Sequence, residues 1–269
     1  MPRSYTFTHT LSRLPSVSVT DGLRAADLGN PDHARFAEHH STYIAALQAA
    51  GCTTEVLPAL EAFPDSVFIE DAALCLGSTA IALRPGAPSR FGETQALRPA
   101  LERNFSQVLD LPGAGIEDGA LVDGGDILVT ETEILVGLSD RTDQAGFDAL
   151  SKIVRDLGYT TRAVHTPAGV LHFKSDCGLL DEETIFATKA LAASRCFEGY
   201  RVIEAPDGEG PAANLIRVND HVLMSEGHPR TQELLTKAGY EIVTLPNSEA
   251  AKVDGGLSCM SLRFNLETS

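Results

Sequence analysis

The chain has 269 residues, 43% of them hydrophobic, enough to bury a sizeable core in one large domain or two small ones. With 37 acidic against 21 basic residues its formal charge is −16, which repels a phosphate backbone, argues against a nucleic-acid partner and favours small cationic ligands. Residues 1–10 hold no apolar core, and no uninterrupted apolar stretch approaches the roughly 20 residues that span a bilayer, so the reading is a soluble cytoplasmic protein with no membrane partner.

In chain order, helical spacing over Phe36–Ala50 leads to a short strand, Thr53–Leu57. Two β-rich runs follow, Val67–Leu74 and Thr79–Leu83, turning at Gly77-Ser78, before helical spacing over Gly92–Asn104. The pattern returns. Asp126–Thr130 and Glu133–Gly137 turn at Glu131-Thr132 and precede a helix over Gln144–Leu157 and a strand over Thr160–Val164. Gly178–Leu180 and Thr184–Ala187 turn at Asp181-Glu182-Glu183; Leu215–Val218 and His221–Met224 turn at Asn219-Asp220 and precede Arg230–Ala238 and Glu241–Thr244. Such turns need Gly, Asn, Asp or a small polar residue, and they have them.

The recurring unit is strand, strand, helix, strand, at a period of about 40–55 residues that points to radial repetition. No Pro/Gly/Ser-rich linker divides it, so residues 1–269 are read as a single domain. Pro206–Pro211 is expected as a loop or flap, and Gly113-Ala114-Gly115 as a loop after Pro112. Neither GxGxxG nor GxxxxGK[ST] occurs, and no cofactor is expected.

In a radial arrangement the start of each hairpin faces the axis. Polar residues interrupt the apolar pattern there: Glu70-Asp71, Asp123 to Asp126, His172 to Asp176, Asn214, and Asp254 through Cys259. Carboxylates, an imidazole and a thiol on one axis make a hydrolytic site for a cation.

Five scattered cysteines, Cys52, Cys75, Cys177, Cys196 and Cys259, form no CxxC pair, and each reads first as a buried inert thiol. Cys259 stands out because Gly255-Gly256 lets the backbone approach a ligand. As a nucleophile it would be activated by an imidazolium or by the substrate's own charge. His172, flanked by Val170-Leu171 and Phe173, fits a satisfied core histidine or a general acid/base equally. Asp65, Glu70 and Asp71 surround the apolar triplet Val67–Ile69; in a continuing strand Glu70 and Asp71 point to opposite faces. Arg90 and Arg141 follow hairpins, where solvated arginine is common, yet a planar fork also suits a substrate carboxylate. No local spacing of metal ligands is present, so no metal site is expected, although zinc could inhibit at Cys259.

At these residues the chain resembles the dimethylarginine dimethylaminohydrolases of the pentein superfamily. The resemblance runs from Asp21-Gly22-Leu23 through FPDSVFIED (Phe63–Asp71), LRPGAPSR (Leu83–Arg90), DGGDIL (Asp123–Leu128), GLSDRT (Gly137–Thr142) and VLHFK (Val170–Lys174) to DGGLSCMSLRF (Asp254–Phe264). It implies a five-bladed α/β propeller of ββαβ units and hydrolysis of methylated arginine to citrulline through a covalent thiouronium. It further implies Cys259 as nucleophile, His172 as general acid/base, Asp71 and Asp123 as guanidinium holders, and Asp123, which some bacterial relatives replace by glutamate, as the residue orienting the histidine. Leu23, Asp65, Glu70, Arg90, Arg141 and Val253 match the remaining substrate contacts, with both arginines near the amino acid's carboxylate. Arginine deiminase chemistry, another small guanidine, and a non-catalytic binding propeller are the alternatives; the deiminases' added helical insertion finds no room between these units. A homodimer through an outer blade edge is compatible with the pattern.

Overall fold

A computed structural model describes residues 3–111, 119–167 and 169–266; the Gly113–Gly115 loop lies outside them. Five three-stranded sheets make the structure. The first uses β1 (His9–Arg13), helix α1 (His33–Ala49) and β2 (Thr53–Leu57); the second uses β3 (Ala73–Leu76), β4 (Thr79–Ala82), α2 (Glu93–Asn104) and β5 (Gln107–Asp110). The third contains β6 (Ile127–Val129), β7 (Ile134–Leu138), α3 (Gln144–Asp156) and β8 (Thr161–His165); the fourth, β9 (Cys177–Leu179), β10 (Thr184–Ala187), α4 (Lys189–Ala193) and β11 (Arg201–Glu204). The fifth holds β12 (Ile216–Val218), β13 (His221–Ser225), α5 (Pro229–Lys237) and β14 (Glu241–Leu245), after which come α6 (Ser248–Ala251) and β15 (Ser261–Phe264).

Each hairpin is antiparallel and each helix returns the chain to a parallel third strand, as in the β3-β4-β5 sheet. A helical crossover is what a parallel neighbour requires. The first blade is assembled from both chain ends, since β15 pairs antiparallel with β1 and β1 runs parallel to β2. This is the five-bladed ββαβ propeller that the resemblance implies, and it agrees with the repeat.

The helices cover the blades with one apolar face. On α1, Phe36, Tyr43 and Leu47 are fully buried, and Asp32 caps the first turn by accepting from the Arg35 N–H at 2.9 Å. Four of the expected helices are present with ends within three residues of the expectation. The short α4 and α6, and strands β1 and β11, lie outside that reading, while β5 is the strand that the repeating unit places after its helix. Among the described residues no helix is long and apolar enough to cross a membrane.

One correction governs the site. The run from Val67 does not begin a strand: Ile69–Ala72 is a 3₁₀ turn and the strand starts at Ala73. Glu70 and Asp71 are both buried, so alternation along a strand does not describe them. The same device precedes every inner strand, with 3₁₀ turns at Gly124–Asp126, Phe173–Ser175, Gly210–Ala213 and Ser258–Met260. The Pro206–Pro211 segment is pinned rather than a flap, because Glu209 accepts from the Thr231 backbone N–H and hydroxyl, both at 2.7 Å.

The paired glycines of the two DGG runs permit close approach of these turns. A Cβ on Gly124 would stand 1.9 Å from the Glu70 carbonyl oxygen, and one on Gly255 would stand 2.2 Å from the Phe68 ring. Backbone cannot yield as a flexible side chain can. Gly124→Ala is expected to destabilise by about 2–3 kcal/mol in denaturant titration, whereas Gly210→Ala, whose Cβ meets only ordinary contact at 3.7 Å, stays within about 1 kcal/mol.

Candidate active site

The five turns deliver one polar cluster to the axis. Asp71 comes from the second blade's turn, Asp123 stands immediately before the third's, His172 caps the fourth's, Asn214 follows the fifth's, and Cys259 lies in the turn leading to β15. Asp71, His172 and Cys259 line one cavity of about 170 Å³, with Leu23, Asp65, Arg90, Arg141 and Val253 also on its wall.

His172 is buried and its Nε2 lies 2.7 Å from Asp123 Oδ2. The other Asp123 oxygen accepts the Gly86 N–H at 2.7 Å, which fixes the carboxylate plane. Asp71 Oδ1 accepts the Gly125 N–H at 2.8 Å, and a Cβ on Gly125 would press on both Asp71 and the His172 ring. Burial alone would lower the imidazole pKa, but the charge of Asp71 and the bond to Asp123 outweigh it and raise it to about 9. Asp71 is held down at about 2, its burial more than offset by His172 and Arg90. The histidine is therefore a cation at neutral pH.

Cys259 has the opposite bias. Burial, reinforced by Glu70 and Asp71, pushes its thiol up to about 11, while the Gly256 N–H, 3.4 Å from Sγ, acts in the other direction. An empty site thus holds imidazolium and thiol. A bound cation would counter the carboxylates' repulsion of a thiolate.

Two residues differ from their expected placement. Arg90 is neither solvated nor free: its guanidinium donates to both Glu93 oxygens, to Asp71 at 2.5 Å and to the Phe68 carbonyl at 2.9 Å. Its charge is committed to holding Asp71. Glu70 accepts from Lys174 at 2.6 Å and Arg263 at 2.5 Å, and faces a separate cavity of about 520 Å³ that contains neither Cys259 nor His172. The larger cavity holds neither the thiol nor the imidazole, so the smaller one is the candidate site.

The remaining positions fit the wall of a substrate pocket. The Leu23 N–H donates to Asp65 Oδ1 at 2.9 Å, bringing the 20s loop over the cavity. Val253 is a buried apolar wall, and Asp254, at φ 55°, ties that wall to the loop by accepting from the Ala25 N–H at 2.5 Å. Arg141 makes no ion pair among the described residues and lines the cavity. Donor atoms of Asp71, Asp123 and His172 lie within 4.8 Å of one another, the spacing of a metal-ligand trio. Arg90 and the imidazole proton already balance those carboxylates.

Three residues went unassigned from sequence. Asp126 is fully buried and accepts from Ser139, Thr142 and the Phe173 N–H, anchoring the turn behind His172. Glu93 is Arg90's partner, and Asn214 touches Cys259. Asp126 and Asn214 were visible as polar interruptions, but their roles require the tertiary contacts.

A family profile described as N,N dimethylarginine dimethylhydrolase, eukaryotic, matches residues 30–175. The dimethylarginine dimethylaminohydrolase of Pseudomonas aeruginosa is 38% identical over 258 residues, 96% of this chain and all of that one. The chain belongs to the dimethylarginine dimethylaminohydrolase family. A solved structure of the Pseudomonas protein, a cysteine-to-serine variant complexed with citrulline, superposes with a TM-score of 0.91 at 37% identity, covering 97% of this chain and all of that one. A second dimethylarginine dimethylaminohydrolase structure, an adduct with S-methyl-L-thiocitrulline, gives the same TM-score and identity over 96% of this chain.

Removing Arg90 leaves Glu93 buried without its counter-charge and Asp71 with only the His172 imidazolium. Arg90→Met is expected to cost about 3–5 kcal/mol by denaturant titration, and simultaneous Glu93→Leu recovers part of it by removing one orphaned charge.

Proposed function

We propose that residues 1–269 act as a single catalytic domain hydrolysing Nω-methylated L-arginines to L-citrulline and dimethylamine or methylamine. One observation carries the reading: a buried imidazolium, the Asp71 carboxylate and a thiol line one cavity, with Asp123 bonded to the imidazole behind them. Family membership selects the substrate class. The citrulline complex and thiocitrulline adduct of the relatives support a small amino-acid ligand at the equivalent place.

In the mechanism, Asp71 and Asp123 hold the guanidinium, and its positive charge favours ionisation of Cys259. The thiolate attacks the central carbon, forming an S–C bond and a tetrahedral adduct. The C–N bond to the methylated nitrogen breaks as His172 gives that nitrogen its proton, releasing the amine and leaving a thiouronium. Asp123 keeps the imidazole turned toward the leaving group. His172, now neutral, takes a proton from water as the hydroxide adds; the S–C bond then breaks with its electron pair returning to sulfur, the new hydroxyl gives its proton to solvent as the carbonyl forms, and citrulline is released.

Leu23, Asp65 and Val253 form the wall around the amino-acid end, and Arg141 meets the α-carboxylate. Arg90 and Glu70 act indirectly, Arg90 by fixing Asp71 and Glu70 by setting the charge behind Cys259. This differs from the resemblance, which puts both arginines at the carboxylate.

Cys259→Ser is expected to abolish citrulline release from dimethylarginine while preserving the melting transition; near-normal turnover would contradict covalent catalysis. Unmethylated arginine, run beside it, separates this reading from a deiminase: preference for arginine would favour the latter.

The pH dependence has a definite sign. The competent free enzyme carries thiolate and imidazolium, one proton fewer than the thiol–imidazolium form that dominates below pH 9. Thus kcat/KM should rise tenfold per pH unit toward about 9 and level off there. A profile flat from neutrality upward would mean that the thiolate is already formed.

A further inference from the structure

Four of the five blade turns supply groups whose parts in the reaction are described above; the fifth supplies Asn214. We infer that Asn214 is a thiolate-holding residue for Cys259, its side-chain N–H donating to Sγ when the sulfur is anionic and fixing the line of attack. The inference rests on the nucleophilic reading of Cys259.

Its orientation is settled by neighbours. Asn214 is 6% exposed, and its Oδ1 accepts the Ser258 N–H at 3.0 Å. That donor can face only the amide oxygen, so the Nδ2 amino group is the end directed at Cys259 Sγ, 3.7 Å away. The amide cannot swing aside. A Cβ on Gly256 would lie 2.1 Å from Asn214 Cγ, so the side chain packs flat on the Gly256 peptide, and only glycine leaves it that space. The Gly256 N–H points to the same sulfur at 3.4 Å. Two N–H donors, one side chain and one backbone, therefore converge on Sγ.

The surrounding charges explain why such donors are needed. Glu70 and Asp71, from the Ile69–Ala72 turn, oppose a thiolate; Tyr43 of α1 lies close enough to interact with Cys259, and His172 and Asp254 line the same cavity. Hydrogen bonds to an anionic acceptor are the strong class, and here they act without water competing. They serve twice: before attack they stabilise the sulfur lone pair that forms the S–C bond, and in the second half they receive the thiolate as that bond breaks. The Asn214–Gly256 contact also gives the second glycine of the Asp254-Gly255-Gly256 run a functional reason.

Asn214→Ala removes the donor without adding a charge, and Asn214→Asp, which keeps an oxygen for the Ser258 N–H but sets a carboxylate against Sγ, opposes the thiolate further. The readouts are the iodoacetamide alkylation rate of Cys259 in the substrate-free enzyme at about pH 8, kcat/KM for dimethylarginine, and the melting transition. The expected result for Asn214→Ala is alkylation and kcat/KM each reduced on the order of tenfold in a protein that still unfolds in one cooperative transition, with Asn214→Asp lower again. Wild-type alkylation in a folded Asn214→Asp protein, or lost turnover with an unaltered alkylation rate, would overturn the inference in favour of packing. Should Asn214→Asp not fold, because its new carboxylate is buried without a partner, Asn214→Ala alone carries the comparison, with the same two outcomes. Cys259→Ala separates the two readings: if it retains turnover, the nucleophilic assignment falls and this inference with it, whereas an inert Cys259→Ala beside a freely alkylated Asn214→Asp overturns the inference alone.

Discussion

Buried negative charge at the propeller axis is the constraint on which the site depends. Asp71 and Asp123 are each about as buried as a side chain can be, and a buried carboxylate must be paired. Asp71 is paired with Arg90 and lies beside His172; Asp123 is paired with His172 and a backbone N–H. Removing any partner would leave an uncompensated charge in the interior, so the acids dictate the placement of the arginine, the imidazole and the glycine-rich turns that reach them.

The same negative charge explains the division of protons. It favours the imidazolium and disfavours a thiolate, which in the proposed reaction gives an acid to protonate the departing amine beside a nucleophile that is quiescent until a cation arrives. A site of this kind is guarded against alkylation and oxidation without substrate, because the reactive form of cysteine is the thiolate. The net charge of −16 acts in the same direction at longer range, drawing cations toward the molecule.

Much of this was legible in the sequence because the repeat leaves a periodic trace. Hairpin turns such as Asn219-Asp220 and the helical spacing over Gln144–Leu157 are local signals, and each coincides with an observed element. Cys259 stood out by following paired glycines and Asp123 by preceding them, whereas the apolar flanks of His172 left its role open until the resemblance was drawn. What failed was whatever depends on contacts between blades. Glu70 and Asp71 looked like strand residues because Val67–Ile69 is apolar, yet the 3₁₀ turn sends one toward Lys174 and the other toward Arg90. Arg90 looked solvated because its partners lie three residues ahead and nineteen behind, and only the fold makes them one cluster. Of the first blade only the helix and β2 were read, because its other strands, β15 and β1, come from opposite ends of the chain.

The central claim is that a cation, rather than the empty site, ionises Cys259. Ultraviolet thiolate absorbance tests it most directly, followed at about pH 7 while the enzyme is titrated with a non-hydrolysable amidinium analogue of arginine and, separately, with neutral citrulline. The account predicts that absorbance appears with the amidinium, is absent with citrulline, and is lost in Cys259→Ala. Thiolate present before any ligand, or equal signals from both ligands, would contradict it.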